Sequence, residues 1–248
     1  TLKSLKMIKQ IMKSKKTETE LGEIKNMAKI FLYQPIKVDD NIPPELCVYH
    51  PFLSSSFVCV NSEFINILND EKALKKYREL IEYEIDKSNL HKIYILVRKP
   101  YRLAFIKYCE PYLSEEDLAE LFADAWVSSE NPNQDVNCSL SYLIKVFRKC
   151  NKHYLMQEED YEVYKSLPDT FTIYRGVAVN RNPKGLSWTQ NLETAKWFAH
   201  RFDTEKDKGY IQTAIAKKED VLAYFNTRNE DEIVYDSKKL EISILEEV

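Results

Sequence analysis

Arg175, Ser187 and the acidic pair Glu230 and Glu232 are the residues of this 248-residue chain whose types and spacing could do chemistry. They stand in three short pieces: Tyr174-Arg175-Gly176, Gly185-Leu186-Ser187-Trp188-Thr189 and Glu230-Asp231-Glu232. In the first, Phe171, Ile173, Arg175 and Val177 alternate along a strand-like run, so the guanidinium shares a face with apolar side chains. A cation on a core-facing side needs a carboxylate or a phosphate, because a buried unpaired charge is too costly. Gly176 beside it would let a ligand come close to the backbone. By the same two-residue period, Glu230 and Glu232 share a face with Val234. Adjacent like charges are unfavourable unless both face water or serve a site. Taken singly, a structural ion pair accounts for Arg175 and a solvated edge for the glutamates. In one β-type region, the three pieces together weigh more.

The elements that must position them change character along the chain. The first two-thirds reads as mainly helical. Residues 1 to 16 carry six lysines and no acid among Leu5, Met7, Ile8, Ile11 and Met12, which fits a basic amphipathic helix, best explained as a solvated helix docking by its apolar side. Pro35 to Pro51 is expected to be a connecting loop, and Glu63 to Asp86 a helix. Ile93 to Val97 is either a strand or a helix start, and Ser114 with Asp117 forms a capping-box-like start for a helix through Trp126. A turn-rich segment, Ser128 to Asn137, precedes another helix carrying Leu140, Leu143, Ile144 and Phe147. After Pro168 come short β-type runs: Phe171 to Val177, Leu186 to Thr189, Tyr210 to Ala216, Val221 to Phe225, Ile233 to Tyr235 and Leu240 to Leu245. One helix, Asn191 to Phe202, interrupts them, with Asn191 as its cap and Ala195, Phe198, Ala199 and Phe202 on one face. Helices followed by strands argue for an α+β fold. Only 4 glycines occur, well below average usage, and Gly176, Gly185 and Gly209 all fall after residue 170, which singles out that stretch.

In the order of its motifs the chain resembles the arginine, serine, glutamate class of ADP-ribosyltransferases, which includes bacterial toxins. The resemblance covers residues 166–248: an arginine on the first strand, a Ser-x-Thr strand, then Glu-x-Glu. It implies a helical N-terminal part packed on a C-terminal split β-sheet core, with residues 100–248 as the catalytic domain and residues 1–99 serving recognition or regulation. It further implies that NAD is the substrate, with Arg175 on its phosphates, Gly176 offering backbone hydrogen bonds to the nicotinamide carboxamide, and Tyr174 and Thr189 in the same binding site. Ser187 would position the catalytic carboxylate and the ribose; Glu232 would stabilise the cationic sugar; Glu230 would guide the nucleophile. A fixed carboxylate suits such chemistry, since breaking a glycosidic bond builds positive charge on the sugar. Departures are visible too: Thr189 replaces the usual final serine, Trp188, expected to face the core, fills the middle position, and the interval from Arg175 to Ser187 is short. Arg181 and Lys184 in that interval read as solvated, and Tyr174 and Trp197, the available aromatic clamps, as core. The expected activity is transfer of ADP-ribose to a macromolecular acceptor, protein rather than nucleic acid. NAD hydrolysis, modification of nucleic acid and an inactive binding module are the alternatives.

The rest of the sequence narrows the setting. A net charge of −3 does not announce nucleic acid or an acidic membrane. The four histidines show no metal-ligand spacing, His200 reads as a surface or cap residue, and no glycine-rich phosphate loop is present, so no metal is expected. Five scattered cysteines without a C-x-x-C pair read as reduced, mostly buried thiols. No apolar run approaches the length of about 20 residues needed to span a bilayer, and no signal peptide is recognised. A cytoplasmic protein is expected, and the likeness to toxins adds a neutralising partner such as an antitoxin.

Overall fold

Polar side-chain caps start several of the described helices, and spaced apolar residues hold them down. In a computed structural model, which describes residues 16–60 and 62–245, the chain divides into two compact units between Leu121 and Phe122. The basic helix expected over residues 1 to 16 lies, except for Lys16, outside the described residues.

In the first unit, α1 (Leu21–Leu32) buries Ile24, Ala28, Phe31 and Leu32, one face at helical spacing. An antiparallel hairpin of β1 (Phe57–Val60) and β2 (Glu63–Asn66) follows, with Ser62 in the left-handed region at its turn. Here the helix expected from Glu63 is corrected. The helix α2 spans Glu71–Lys87 because the Asp70 carboxylate accepts from the Lys72 and Ala73 N–H groups and fixes its start there. A short apolar run is ambiguous between the two periods, and the cap decides. Next come α3 (Leu90–Leu96), capped by Asn89 and containing the Ile93 segment, and α4 (Lys99–Cys109), with Pro100 in its first turn. Ser114 and Asp117 exchange hydrogen bonds at the head of α5 (Glu115–Ser128): Asp117 N donates to Ser114 Oγ at 3.0 Å and that hydroxyl to Asp117 Oδ2 at 2.8 Å. The division between the units falls within this helix.

The second unit sets helices before a sheet. After α5 come α6 (Leu140–Lys149), α7 (Lys152–Leu155) and α8 (Glu158–Ser166). Phe122, Trp126 and Phe225 gather round the Phe147 ring, with centroids 4.7, 5.0 and 6.5 Å away. Six antiparallel strands then run in the spatial order β6-β7-β4-β3-β5-β8. They are β3 (Thr170–Val177), β4 (Ser187–Thr189), β5 (Tyr210–Lys217), β6 (Val221–Phe225), β7 (Glu232–Tyr235) and β8 (Ser243–Leu245). The run expected from Leu240 is a strand only from Ser243, because Asp236 caps a 3₁₀ turn over Ser237–Lys239. Strands β3 and β5 pair along their whole length, whereas β3 and β4 share a single registered pair, Tyr174 with Thr189. Helix α9 (Leu192–His200), capped by Asn191 as expected, packs on β3 and β5 through Ala195 and Ala199.

Candidate functional site

The narrow junction between β3 and β4 places the residues singled out in the sequence. Register puts Tyr174 opposite Thr189, and Thr189 opposite Glu232, so these three side chains lie in a row across three strands. Ser187, two residues before Thr189, shares that face by alternation, while Trp188 points to the other side, 2 % exposed, with its Nε1 donating to Ser237 Oγ at 3.0 Å.

Glu232 is the first residue of β7, and Glu230 is not on the strand. Asp231 between them has φ 45°, Asn229 has φ 56°, and the turn is braced by Tyr224 Oη donating to Asp231 Oδ1 at 2.7 Å and Asp231 N donating to Asn226 Oδ1 at 3.1 Å. The shared face expected for the two glutamates is therefore corrected: the left-handed kink breaks the two-residue period before β7 begins. Glu230 is half-buried and pairs with Arg228 Nη2 at 3.0 Å.

The Glu232 carboxylate is 8 % exposed and accepts at Oε1 from Trp126 Nε1 at 3.1 Å. Ser187 also hydrogen-bonds it. A further residue holds Ser187 in place. Asn133 Oδ1 accepts from Leu186 N at 2.5 Å, and because a backbone N–H can only donate, the amide nitrogen must face Ser187, to whose Oγ it donates at 2.9 Å. Accepting from Asn133 leaves the Ser187 hydroxyl its own proton, and the ionised Glu232 carboxylate can only accept it. Burial pushes the Glu232 carboxyl above its ordinary range, Ser187 and Trp126 pull it back by favouring the charged form, and Glu230 adds a smaller upward push.

Arg175 is buried, as its alternation with Phe171, Ile173 and Val177 requires. Its partners differ from those expected. Nη1 donates to the Ser187 carbonyl at 2.5 Å and Nη2 to the Asn182 carbonyl at 2.9 Å, so the guanidinium ties the 180–187 segment to β3 rather than pairing directly with a carboxylate. Burial lowers its pKa to about 10, opposed by the charge of Glu232, and it remains a cation at neutral pH. Gly185 makes room for it: a Cβ there would lie 2.1 Å from Arg175 Nη2. Gly176 lines the cleft and also admits α9, since a Cβ there would meet the Ala195 carbonyl oxygen at 2.1 Å. No glycine takes a positive φ; among the described residues Ser62, Asn180, Asn229 and Asp231 do.

These groups line one cleft of about 750 Å³, open mouth included. Four arginines (175, 181, 201 and 228) and three glutamates (130, 230 and 232) face it, giving it a net positive lining. Arg201, at the C-cap of α9, has its guanidinium carbon 4.5 Å from the Phe202 ring centroid and 5.5 Å from that of Trp197, and Arg181 approaches the same Phe202 ring at 5.4 Å. Burial and the neighbouring charge of Arg181 both lower the Arg201 pKa. Arg181 is half-buried and lines the cleft, while Lys184 is exposed. Tyr174 is half-buried and lines the cleft; Trp197, expected in the core, is 60 % exposed. His200 holds Asp203 at 2.9 Å at the end of α9.

Trp126, Asn133, Arg201 and Arg228 are the site residues that sequence reasoning missed. Trp126 carried a usable signal, since a buried indole N–H needs an acceptor; Asn133 sits in a turn-rich segment where asparagine is ordinary. Among the described residues no group of three or more His, Cys, Asp or Glu is arranged to hold a metal, the five cysteines are free, and no helix is long and apolar enough to cross a membrane. Compared with protein-family models, with curated proteins and with solved structures, the chain matches none.

Proposed function

We propose that this chain cleaves NAD at the bond between nicotinamide and ribose and transfers the ADP-ribose to a macromolecular acceptor, a protein in preference to a nucleic acid. The observation that carries the reading is the Glu232 carboxylate, buried in a cationic cleft and held by two side-chain donors, Trp126 and Ser187. Breaking the glycosidic bond sends its electron pair to the departing nicotinamide and leaves positive charge on the ribose. A carboxylate fixed in advance stabilises that charge without reorganising at the moment of reaction. The acceptor nucleophile then bonds to the same sugar carbon and gives up its proton. The ordered motifs on β3, β4 and β7 support the reading, as does the convergence of Tyr174, Thr189 and Glu232 in one row.

Hydrolysis of NAD is the second reading, and the position of Glu230 favours it: the residue assigned to the nucleophile lies off the strand and is paired with Arg228. One experiment separates the two. With NAD labelled in its adenylate half and a cell lysate, transfer predicts label on protein; free nicotinamide without labelled macromolecules means hydrolysis, and protease-resistant label in RNA or DNA moves the acceptor to nucleic acid. Wild-type protein that releases nicotinamide no faster than Glu232→Gln would sink the enzymatic reading altogether.

A further inference from the structure

We infer that the diphosphate of the substrate is gripped by Arg181 and Arg201, and that Arg175 is a positioning residue that does not touch it. The inference rests on the reading of the cleft as a dinucleotide site and contradicts the role that the family resemblance assigns to Arg175.

Arg175 is buried and tethered to the strand it supports. Two of its five N–H donors are bonded to backbone carbonyls, one of them that of Ser187, and its Nε is buried with no partner among the described residues. A phosphate that drew the guanidinium towards itself would loosen the carbonyl contacts that hold β4 in place, and with them the Ser187 hydroxyl on which Glu232 depends. Gly185 packs against the guanidinium from the far side, so it cannot retreat without leaving its slot.

Arg181 and Arg201 are in the opposite condition. Neither has a carboxylate partner among the described residues, both face the cleft, and both lie against the Phe202 ring. Glu230, on the turn before β7, already pairs with Arg228, and it and Glu130 act on Arg201 only through space. Two like charges side by side in a partly dry cleft are unfavourable until an anion joins them. Arg201 keeps its charge, as a guanidinium does at neutral pH, and the carbonyl end of α9 favours a cation at its C-cap. Each guanidinium presents a planar fork that matches one phosphate, so a pair of forks set on one aromatic shelf suits an organic diphosphate better than a single phosphate or a carboxylate.

The test uses the full chain and three variants, Arg181→Gln, Arg201→Gln and Arg175→Lys, with ADP as the probe in titration calorimetry and NAD as the substrate in nicotinamide-release assays. Each of the first two is expected to weaken ADP binding about tenfold, the loss of one charge-assisted contact. Both should raise the KM for NAD with little change in kcat, and thermal midpoints should stay near that of the wild type. Arg175→Lys should lower the midpoint and kcat, yet bind ADP within about threefold of wild type while still folded, less than the loss of one contact. Unchanged ADP affinity in both glutamine variants overturns the inference, as does loss of ADP binding in folded Arg175→Lys, or wild-type protein that does not bind ADP. The two readings fail separately. Arg181- and Arg201-dependent ADP binding without nicotinamide release leaves the diphosphate site standing and removes the enzyme, whereas nicotinamide release with an unaltered KM in both variants does the reverse.

Discussion

The indole Nε1 of Trp126, near the end of α5, donates to Oε1 of Glu232, the first residue of β7, across 3.1 Å in a buried setting. The bond joins residues 106 positions apart in sequence, and because it brings a donor to the carboxyl it favours the charged form. Trp126→Phe removes the N–H and keeps an aromatic ring against Phe147. A hydrogen bond to a charged group contributes about 1.5–3 kcal/mol, so nicotinamide release should slow about tenfold to a hundredfold. Loss of a donor also raises the carboxyl pKa further, so the acid limb of kcat/KM should move to higher pH. A slower enzyme with an unmoved limb would assign Trp126 to packing alone.

Glu232 also works against the fold that holds it. Burial raises its carboxyl pKa, so the unfolded chain loses that proton at a lower pH than the native one. As pH rises above the ordinary value of 4.5 the unfolded state is therefore favoured, and the native state carries this cost at neutral pH. Glu232→Gln should accordingly melt at a higher temperature than wild type at pH 7, with the difference closing as the pH falls from the raised native value towards 4.5. It should at the same time cut nicotinamide release by about a hundredfold or more. A variant that is both inactive and less stable would show that the carboxylate is structural.

Asn133 acts one bond further out. Asn133→Ala removes the donor that anchors the Ser187 oxygen and leaves the Leu186 N–H without its acceptor, so the hydroxyl is held less firmly against Glu232. The expected result is a kcat about tenfold lower, a KM for NAD within twofold, and an acid limb shifted in the same direction as in Trp126→Phe. A change confined to KM would place Asn133 in substrate binding instead.

What could be read from the sequence follows from the range over which each signal acts. Alternation along β3 was enough to bury Arg175 beside Ile173, and the Asn191 cap was enough to start α9, because both are local. The bonds from Trp126 and Asn133 to the β4 and β7 residues were invisible, since they join a helix and a turn to strands more than 50 positions away. The glutamate pair was misread for a different reason: a period of two assumes regular backbone, and the left-handed Asp231 breaks it between the two residues being compared. Glycine was informative in place, but part of its cause was hidden, for Gly176 and Gly185 make room for α9 and Arg175, contacts that no local pattern announces.

The first unit offers an independent pH test. His50 is 1 % exposed, and burial, with the nearby charges of Arg78 and Arg98, lowers its pKa from 6.5 to about 4; its Nδ1 accepts from Phe52 N at 3.1 Å, which requires the neutral ring. The unfolded chain takes up a proton here below pH 6.5 while the native chain does not, so stability contributed by this residue is lost as pH falls from 6.5 towards 4. His50→Asn, which keeps an acceptor and cannot titrate, should show a shallower fall in thermal midpoint over that interval. Parallel curves for the two proteins would refute the assignment.

The two glycines can be told apart by what their side chains would strike. An alanine at 176 would bring its Cβ to 2.1 Å from the Ala195 carbonyl oxygen and 2.5 Å from the Ala199 nitrogen, both backbone atoms of α9, so the helix as a whole must move off β3. An alanine at 185 meets only the end of Arg175, but that end is pinned by the Asn182 and Ser187 carbonyls, and moving it releases β4. Each substitution should destabilise by about 1–3 kcal/mol, read as a lower urea midpoint at an unchanged slope. Their effects on catalysis should diverge. Gly185→Ala disturbs the strand that presents Ser187, so it should lower kcat in the fraction that remains folded, whereas Gly176→Ala displaces the helix bearing Arg201 and should act chiefly on the KM for NAD. Equal losses in kcat and KM for both variants would mean that neither contact is specific to its side of the cleft.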